Sequence, residues 1–373
     1  MDVSSEMVHG LLPVFLVSAL GASMTSVGVL EGLAEGVVLL VKVISGPLSD
    51  WLGRRKPLVV IGYTVGALSK PLFALAGGVP FVYFARLLDR TGKGVREAPR
   101  DALVADLTPS HLRGRAFGLR QSLDTIGAVV GPLLAILLMI VTGGSYRLVF
   151  WLATIPGILA VVTLLYGVRE SASPAPLAEK HRRIRWEDLR QFHPSFWVVV
   201  ASGALFELAR FSEAFLVLRA KDFGLAFGMA PAVLIVMNVV YAFTAYPVGH
   251  WSDRVRREWF LLLGVVFLIA ADLVLVFANS LVVVFLGILL WGLHLACTQG
   301  TLAALVADTC PPSRRGSAYG LFNLFSAVAL LVASALAGVL WDWAGARATF
   351  GAGAGLSFVS LIVFGIRIRK WKA

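Results

Sequence analysis

Stretches of apolar residues long enough to cross a bilayer recur along the whole chain. Pro57–Gly77, Tyr146–Val168, Trp259–Ser280 and Phe350–Ile368 are examples. Each is close to the roughly 20 residues that a helix needs to cross about 30 Å of hydrocarbon. Such segments must be helical, because a backbone facing lipid has to satisfy its own hydrogen bonds. The balance of the 373 residues agrees: 58% are hydrophobic and only 15% charged, against about 25% charged in a soluble domain. The pattern therefore predicts an all-α membrane protein. Twelve spans are expected, at about 1–21, 25–48, 57–77, 79–107, 114–141, 146–168, 195–217, 227–249, 259–279, 281–307, 317–340 and 347–367, and they are numbered one to twelve below.

The formal charge of +11 raises the question of nucleic acid, and its distribution answers it. Arg54, Arg55 and Lys56 fall in one connection and Arg254, Arg256 and Arg257 in another. A third carries Arg169, Lys180, Arg182, Arg183, Arg185 and Arg190, and the tail ends with Arg367, Arg369, Lys370 and Lys372. The alternate connections hold little beyond Arg147, Arg219, Lys221 and Arg347. This is the positive-inside asymmetry. It predicts a multi-pass protein of the inner (plasma) membrane with both termini cytoplasmic, the lipid bilayer as its partner and no nucleic acid. Cys297 and Cys310 lie about 20 Å apart along a helical path, too far for a disulfide. No metal spacing and no cleavable leader are visible. Neither a cofactor nor an enzymatic activity is expected.

Arg169–His193, with Pro174, Pro176 and many cations, bisects the chain. The expected organisation is a six-helix bundle over 1–168, a cytoplasmic linker over 169–194 and a second bundle over 195–373. The halves repeat one another. Ala102-Leu-Val-Ala-Asp106 recurs as Ala304-Leu-Val-Ala-Asp308, an offset of 308 − 106 = 202. Pro109, Arg113, Gly114, Ala116, Gly118 and Leu119 meet Pro311, Arg315, Gly316, Ala318, Gly320 and Leu321 at the same offset. Six spans per unit keep both units in one orientation, so these are parallel repeats of the kind that rock against each other in transporters.

Gly46-Pro-Leu-Ser-Asp50-Trp-Leu-Gly53-Arg54-Arg55 joins spans two and three. Its glycines permit close backbone approach and its carboxylate is flanked by cations. The segment resembles the signature loop of the major facilitator superfamily, and Gly249-His-Trp-Ser-Asp253 through Arg257 is a weaker copy. The resemblance implies that Asp50 and Arg54 latch a cytoplasmic gate, with Asp50 near the start of span eleven. Span five carries Gly127-Ala-Val-Val-Gly131-Pro132-Leu-Leu-Ala135. Small residues four apart allow close helix packing and proline bends the helix. The run is similar to the superfamily's proton-antiporter motif, with Ala135 in place of the usual final glycine; tight packing without coupling is the other reading. Relatives carry more residues before Asp2, so the first span looks shortened at its start.

In span four, Arg86-Leu-Leu-Asp89-Arg90-Thr-Gly92 keeps the family's Arg and last Gly but has Asp89 and Arg90 where Gln and Gly are usual. Arg86, Arg90, Lys93 and Glu97 share one helical face. An Arg or Lys at a helix centre carries an insertion penalty of roughly 2.5–3.5 kcal/mol, so these cations must face water or carboxylates. Glu31 and Glu35 of span two and Asp124 of span five, one turn from Arg120, are the expected partners. Intramembrane ionisable groups mark functional sites; internal neutralisation is the bland alternative. Glu207, Arg210 and Glu213 follow at i, i+3 and i+6 in span seven, and His294 and Gln299 lie in span ten. The resemblance implies that spans one, four, seven and ten line a transport cavity, to which span one adds Asp2, Glu6 and His9. His294 also fits a buried, hydrogen-bonded core position. Lys42, Lys70 and Asp272 are read as snorkelling or packing groups.

The run Arg90-Thr-Gly-Lys-Gly-Val-Arg96 lacks the strand and the Gly-Lys-Ser/Thr ending of a phosphate loop, so nucleotide binding is rejected. The stretch looks like a prokaryotic superfamily branch without assigned substrates, as does Trp291-Gly-Leu-His294. The expectation is a monomeric secondary transporter working by alternating access, with a proton as coupling ion and a small organic solute as exported substrate. Proton-linked movement of an anionic metabolite is the alternative, favoured by the cations of span four. A receptor or lipid-handling scaffold is a further class, disfavoured because a static receptor needs no gating loops.

Overall fold

The computed structural model describes residues 1–52, 54–109, 113–168, 194–252, 255–309 and 315–370. The described secondary structure is helical. Span two is the helix Met24–Leu52, span three Lys56–Leu75, span four Val79–Leu107, span five Arg113–Val141 and span six Tyr146–Gly167. Span eight is Ala232–Ser252, span nine Arg257–Val276 and span ten Leu281–Asp308. Spans eleven and twelve form Arg315–Lys370, interrupted at Gly345. Eight described helices are long and apolar enough to cross a membrane, and one of them, Gly320–Phe364, covers two spans. That accounts for nine of the twelve. Spans one, two and four are the remainder, and four is the span in which Glu, Asp, Lys and Arg are densest.

The chain divides into two compact units. Met1–Leu20 with Leu33–Arg183 forms one, and Gly21–Gly32 with Ile184–Ala373 the other. The first nine residues of the span-two helix thus group with the second unit. The expected linker, 169–194, lies outside the described residues except for Pro194.

The repeat is visible within each unit as the same contact made twice. A Cβ on Gly62 of span three would lie 2.6 Å from Gly92 O and 2.7 Å from Arg96 Cβ of span four. A Cβ on Gly264 of span nine would lie 2.5 Å from Thr298 Cγ2 and 3.4 Å from His294 O of span ten. The offsets 264 − 62, 294 − 92 and 298 − 96 are all 202. The turns repeat too. Gly143 and Gly345, also 202 apart, have φ of 64° and 80°, a region that glycine enters without steric penalty. Arg147 donates to Ala76 O at the end of span three, and Arg219 donates to Leu275 O at the end of span nine. Two of the few cations outside the basic loops therefore close helix C-termini, where carbonyls lack partners and positive charge is favoured.

Spans one and seven are both interrupted. Span one begins as Asp2–His9, continues as Leu12–Val14 and ends in a π-turn over Phe15–Ala19. Pro13 accounts for the break, because it has no N–H to offer His9 O and its ring clashes with the carbonyl four residues back. Span seven runs as Pro194–Ala209 and resumes as Ala214–Asp222. Between the two pieces, Ser212 N donates to Ser334 Oγ at 3.1 Å and Ser212 Oγ accepts from Ala214 N at 3.3 Å. Serine here offers the backbone a local alternative to the helix. Glu213 is thus at the start of a second helix rather than on the same face as Glu207 and Arg210, which corrects the i, i+3, i+6 expectation.

The start of span two is held by a remote residue of the same unit. Met24 N and Thr25 N donate to Asp342 Oδ1 and Oδ2 at 2.9 and 2.8 Å, and Thr25 Oγ1 donates to Oδ2 at 2.6 Å. A carboxylate at a helix N-terminus satisfies orphan donors and meets the positive end of the helix dipole. Asp342→Ala should lower the stability of the purified protein by about 0.5–2 kcal/mol, the usual worth of an N-cap. Thermal unfolding followed by tryptophan fluorescence would read it, with Asp342→Asn between the two because one oxygen is retained.

Candidate functional site

Span four enters as a helix at Val79 with Pro80 in its first turn, where a missing N–H costs nothing. It then places its cations down the first unit. Arg86 and Arg90 are buried, and Arg90 Nη1 lies 3.5 Å from Glu35 Oε1. Glu97 takes Lys42 Nζ at 3.2 Å and Lys93 Nζ at 3.9 Å. Arg96 Nη2 reaches Asp2 Oδ1 at 3.3 Å while its guanidinium lies 4.8 Å above the centre of the Tyr63 ring. Further along, Arg100 lies 3.3 Å from Asp101 and 3.8 Å from Asp124, and Arg120 lies 2.8 Å from Asp124 and 3.3 Å from Asp101. The expected partners Glu35 and Asp124 are thus brought onto the cations, while the buried Glu31 groups with the second unit. Asp2, Lys42, Asp101 and Arg120 complete the network. Charges that would each be costly alone in a membrane interior compensate one another.

Of the two roles expected of Lys70, snorkelling and packing, its burial fits the second. It does not snorkel: it is fully buried, with Nζ 2.5 Å from Asp89 Oδ1 and 3.2 Å from Ser5 Oγ. Ser69 Oγ donates to the same Asp89 oxygen at 3.1 Å. The departure of span four from the family pattern at Asp89 therefore has a physical counterpart in span three. Lys42, expected to be the same kind of group, is partly exposed but held by Glu97. Asp272 is buried rather than snorkelling.

The two interrupted spans carry matching charged pairs at their breaks. Glu6 and His9 approach to 3.4 Å in span one, and Glu207 and Arg210 to 3.0 Å in span seven. The offset is 201 in both members. Discontinuous helices with ionisable groups beside the break are how transporters build binding sites within the membrane. Glycines 127 and 131 of span five serve close packing against span one: a Cβ on Gly131 would meet Val3 O at 2.7 Å and Glu6 Cβ at 2.8 Å. One on Gly127 would meet Asp2 Cβ at 3.0 Å. The helix runs on through Pro132. In span ten, His294 is buried with its ring Nδ1 2.8 Å from Gly264 O, whereas Gln299 is exposed. His294 thus occupies the core position, one of the two places expected for it.

At the loops, Arg54 is exposed, and Arg55 Nε pairs with Asp106 Oδ2 at 2.5 Å. Asp106 belongs to the repeated Ala-Leu-Val-Ala-Asp run, which gives that sequence match a role at the loop. Gly46 packs near span four, where a Cβ on it would lie 3.6 Å from Ala98 Cβ. A Cβ on Gly249 would meet nothing within 4 Å, and Arg257 begins span nine. The Asp50 side chain, Gly53 and Asp253 lie outside the described residues, and with them the expected Asp50–Arg54 latch.

The Major Facilitator Superfamily family model matches residues 2–234 and again 208–370. An uncharacterized MFS-type transporter of Methanocaldococcus jannaschii is 31% identical over 352 residues, covering 91% of this chain and 85% of that protein. Multidrug resistance protein MdtH of Proteus mirabilis is 26% identical over 309 residues, 80% of this chain and 74% of that protein. Among solved structures, a bacterial homolog to the human lysosomal transporter Spinster superposes with a TM-score of 0.81 at 14% identity, covering 99% of this chain and 94% of that one.

Proposed function

Because the chain belongs to the Major Facilitator Superfamily, a family of multi-pass membrane transporters, we propose that it is a secondary transporter that exports a small organic solute in exchange for protons. The observation that carries this reading is the pair of interrupted helices, each with a charged pair, Glu6–His9 and Glu207–Arg210, at the break. The two carboxylates and the histidine can exchange protons where substrate binds, while Arg210 keeps its charge and holds Glu207. The likeness to multidrug resistance proteins supports export. The two units are the bundles that rock during alternating access. The protein works as a monomer in the inner membrane with both termini cytoplasmic, in keeping with the basic loops.

An organic solute is favoured over an anionic metabolite because the cations of span four are compensated. Glu35, Glu97, Asp2, Asp101 and Asp124 lie on them. The double variant Arg90→Gln, Lys93→Gln separates the two substrates. Export of a neutral or cationic solute from everted vesicles should persist in it. Collapse of transport, restored by lysine at position 90, would assign the anionic substrate instead.

A further inference from the structure

Asp272 of span nine is fully buried, and among the described residues neither of its oxygens has a hydrogen-bond partner. Its surroundings are apolar and aromatic. A Cβ on Gly353 of span twelve would lie 2.7 Å from Asp272 Oδ2 and 3.0 Å from the Phe211 ring. Phe211, inside the break of span seven, packs on Trp291 and Phe350 with ring centroids 5.5 and 5.3 Å away. Two more buried polar atoms on the helices packed against span nine also have no hydrogen-bond partner among the described residues. They are Trp291 Nε1 of span ten and Ser357 Oγ of span twelve, one turn beyond Gly353.

The repeat shows what is missing. Asp272 stands 202 residues after Lys70, and Trp291 stands 202 after Asp89. The first unit fills these positions with a buried ion pair; the second has a carboxylate where the lysine was and an indole where the carboxylate was. Compensation by a neighbouring side chain is thereby removed. The charged groups on surrounding elements are engaged elsewhere. Arg219 of span seven donates to Leu275 O and lies 3.9 Å from Asp222, and Arg210 pairs with Glu207. His294 of span ten meets Gly264 O. Glu213 opens the second helix of span seven. Span eight has no charged residue from Ala232 to Gly249, span twelve none from Thr349 to Phe364, and span nine none but Asp272 from Trp259 to Val276. A bare carboxylate buried without a counter-charge costs several kcal/mol, and a neutral acid much less.

We propose that Asp272 is a proton-binding site through which the second unit takes part in proton coupling, with Phe211 and the span-seven break covering it. The proton adds to one carboxylate oxygen from water and returns to water when the break moves. This rests on the proton-exchange reading above, but the site can be tested without transport. Infrared spectra of the purified full chain at neutral pH should contain a protonated-carboxylic-acid C=O band that Asp272→Asn loses and Asp272→Glu shifts. Unchanged spectra in both variants would overturn the site. In proteoliposomes, Asp272→Asn should then lose the dependence of solute export on the proton gradient. If the band is lost yet that dependence survives in the variant, the coupling role is wrong. If the wild type shows no dependence at all, the transport reading fails while the infrared result still decides the site. Should Asp272→Asn fail to fold, the band shift in Asp272→Glu decides it alone.

Discussion

Lys70→Met is expected to destabilise the protein by about 3–5 kcal/mol, the cost of leaving one member of a buried ion pair alone. Asp89 would keep only Ser69 Oγ as a donor among the described contacts, with its side chain only 6% exposed. Replacing both partners, as Lys70→Met with Asp89→Leu, should recover most of the loss, because a well-packed apolar pair removes the desolvation cost along with the attraction. Denaturation of the purified protein, followed by tryptophan fluorescence, measures both. Equal destabilisation in the single and double variants would mean that the pair is needed for its geometry and not for charge compensation.

Gly62→Ala is expected to cost about 1–3 kcal/mol through overpacking, and its repeat counterpart Gly264→Ala to behave differently. At Gly62 the nearest obstacle is the Gly92 carbonyl oxygen, a backbone atom that can yield only if spans three and four separate. At Gly264 it is the Thr298 methyl, 2.5 Å away, at the end of a side chain. Thr298→Ser removes that methyl and should rescue Gly264→Ala, though Cys297 Cβ at 3.0 Å leaves part of the strain. No side-chain change on span four should rescue Gly62→Ala, since the carbonyl remains. Melting temperatures of Gly62→Ala and Gly264→Ala, each alone and with a side-chain change on the facing span, test the contrast. Rescue of both would show that the helices shift as easily in the first unit as side chains do in the second.

Much of this architecture is legible in the sequence. Span three, expected over 57–77, is Lys56–Leu75, and span six, expected over 146–168, is Tyr146–Gly167, because run length and hydrocarbon thickness fix each other. The offset of 202 read from Asp106 and Asp308 also governs Gly62 and Gly264 and the positive-φ turns at Gly143 and Gly345. The breaks are harder to see, since apolar residues continue on both sides of them. Pro13 is the available signal in span one. Carrying its break forward by 201 residues points to Phe211, and so separates Glu213 from Glu207. The one-dimensional pattern shows depth but not facing, which is why Lys70 reads equally as a snorkelling or a packing group. The signal for its true role is the opposite charge at Asp89 in the next antiparallel span, across the short Gly77-Gly78 turn. The partners of Arg55 and Arg96, Asp106 and Asp2, carry no comparable mark, because side-chain reach across a loop or between non-adjacent spans leaves no periodicity.

Solute flux and lumenal pH, recorded together in proteoliposomes under an imposed proton gradient, test the central claim of coupled exchange most directly. A small organic solute should cross the membrane while the lumenal pH shifts in step, and the double variant Glu6→Gln, Glu207→Gln, which removes the carboxylates at the two breaks, should abolish both signals. Solute flux that proceeds at the same rate with and without the gradient, and leaves the lumenal pH unmoved, would contradict proton exchange and make the protein a facilitator of passive movement.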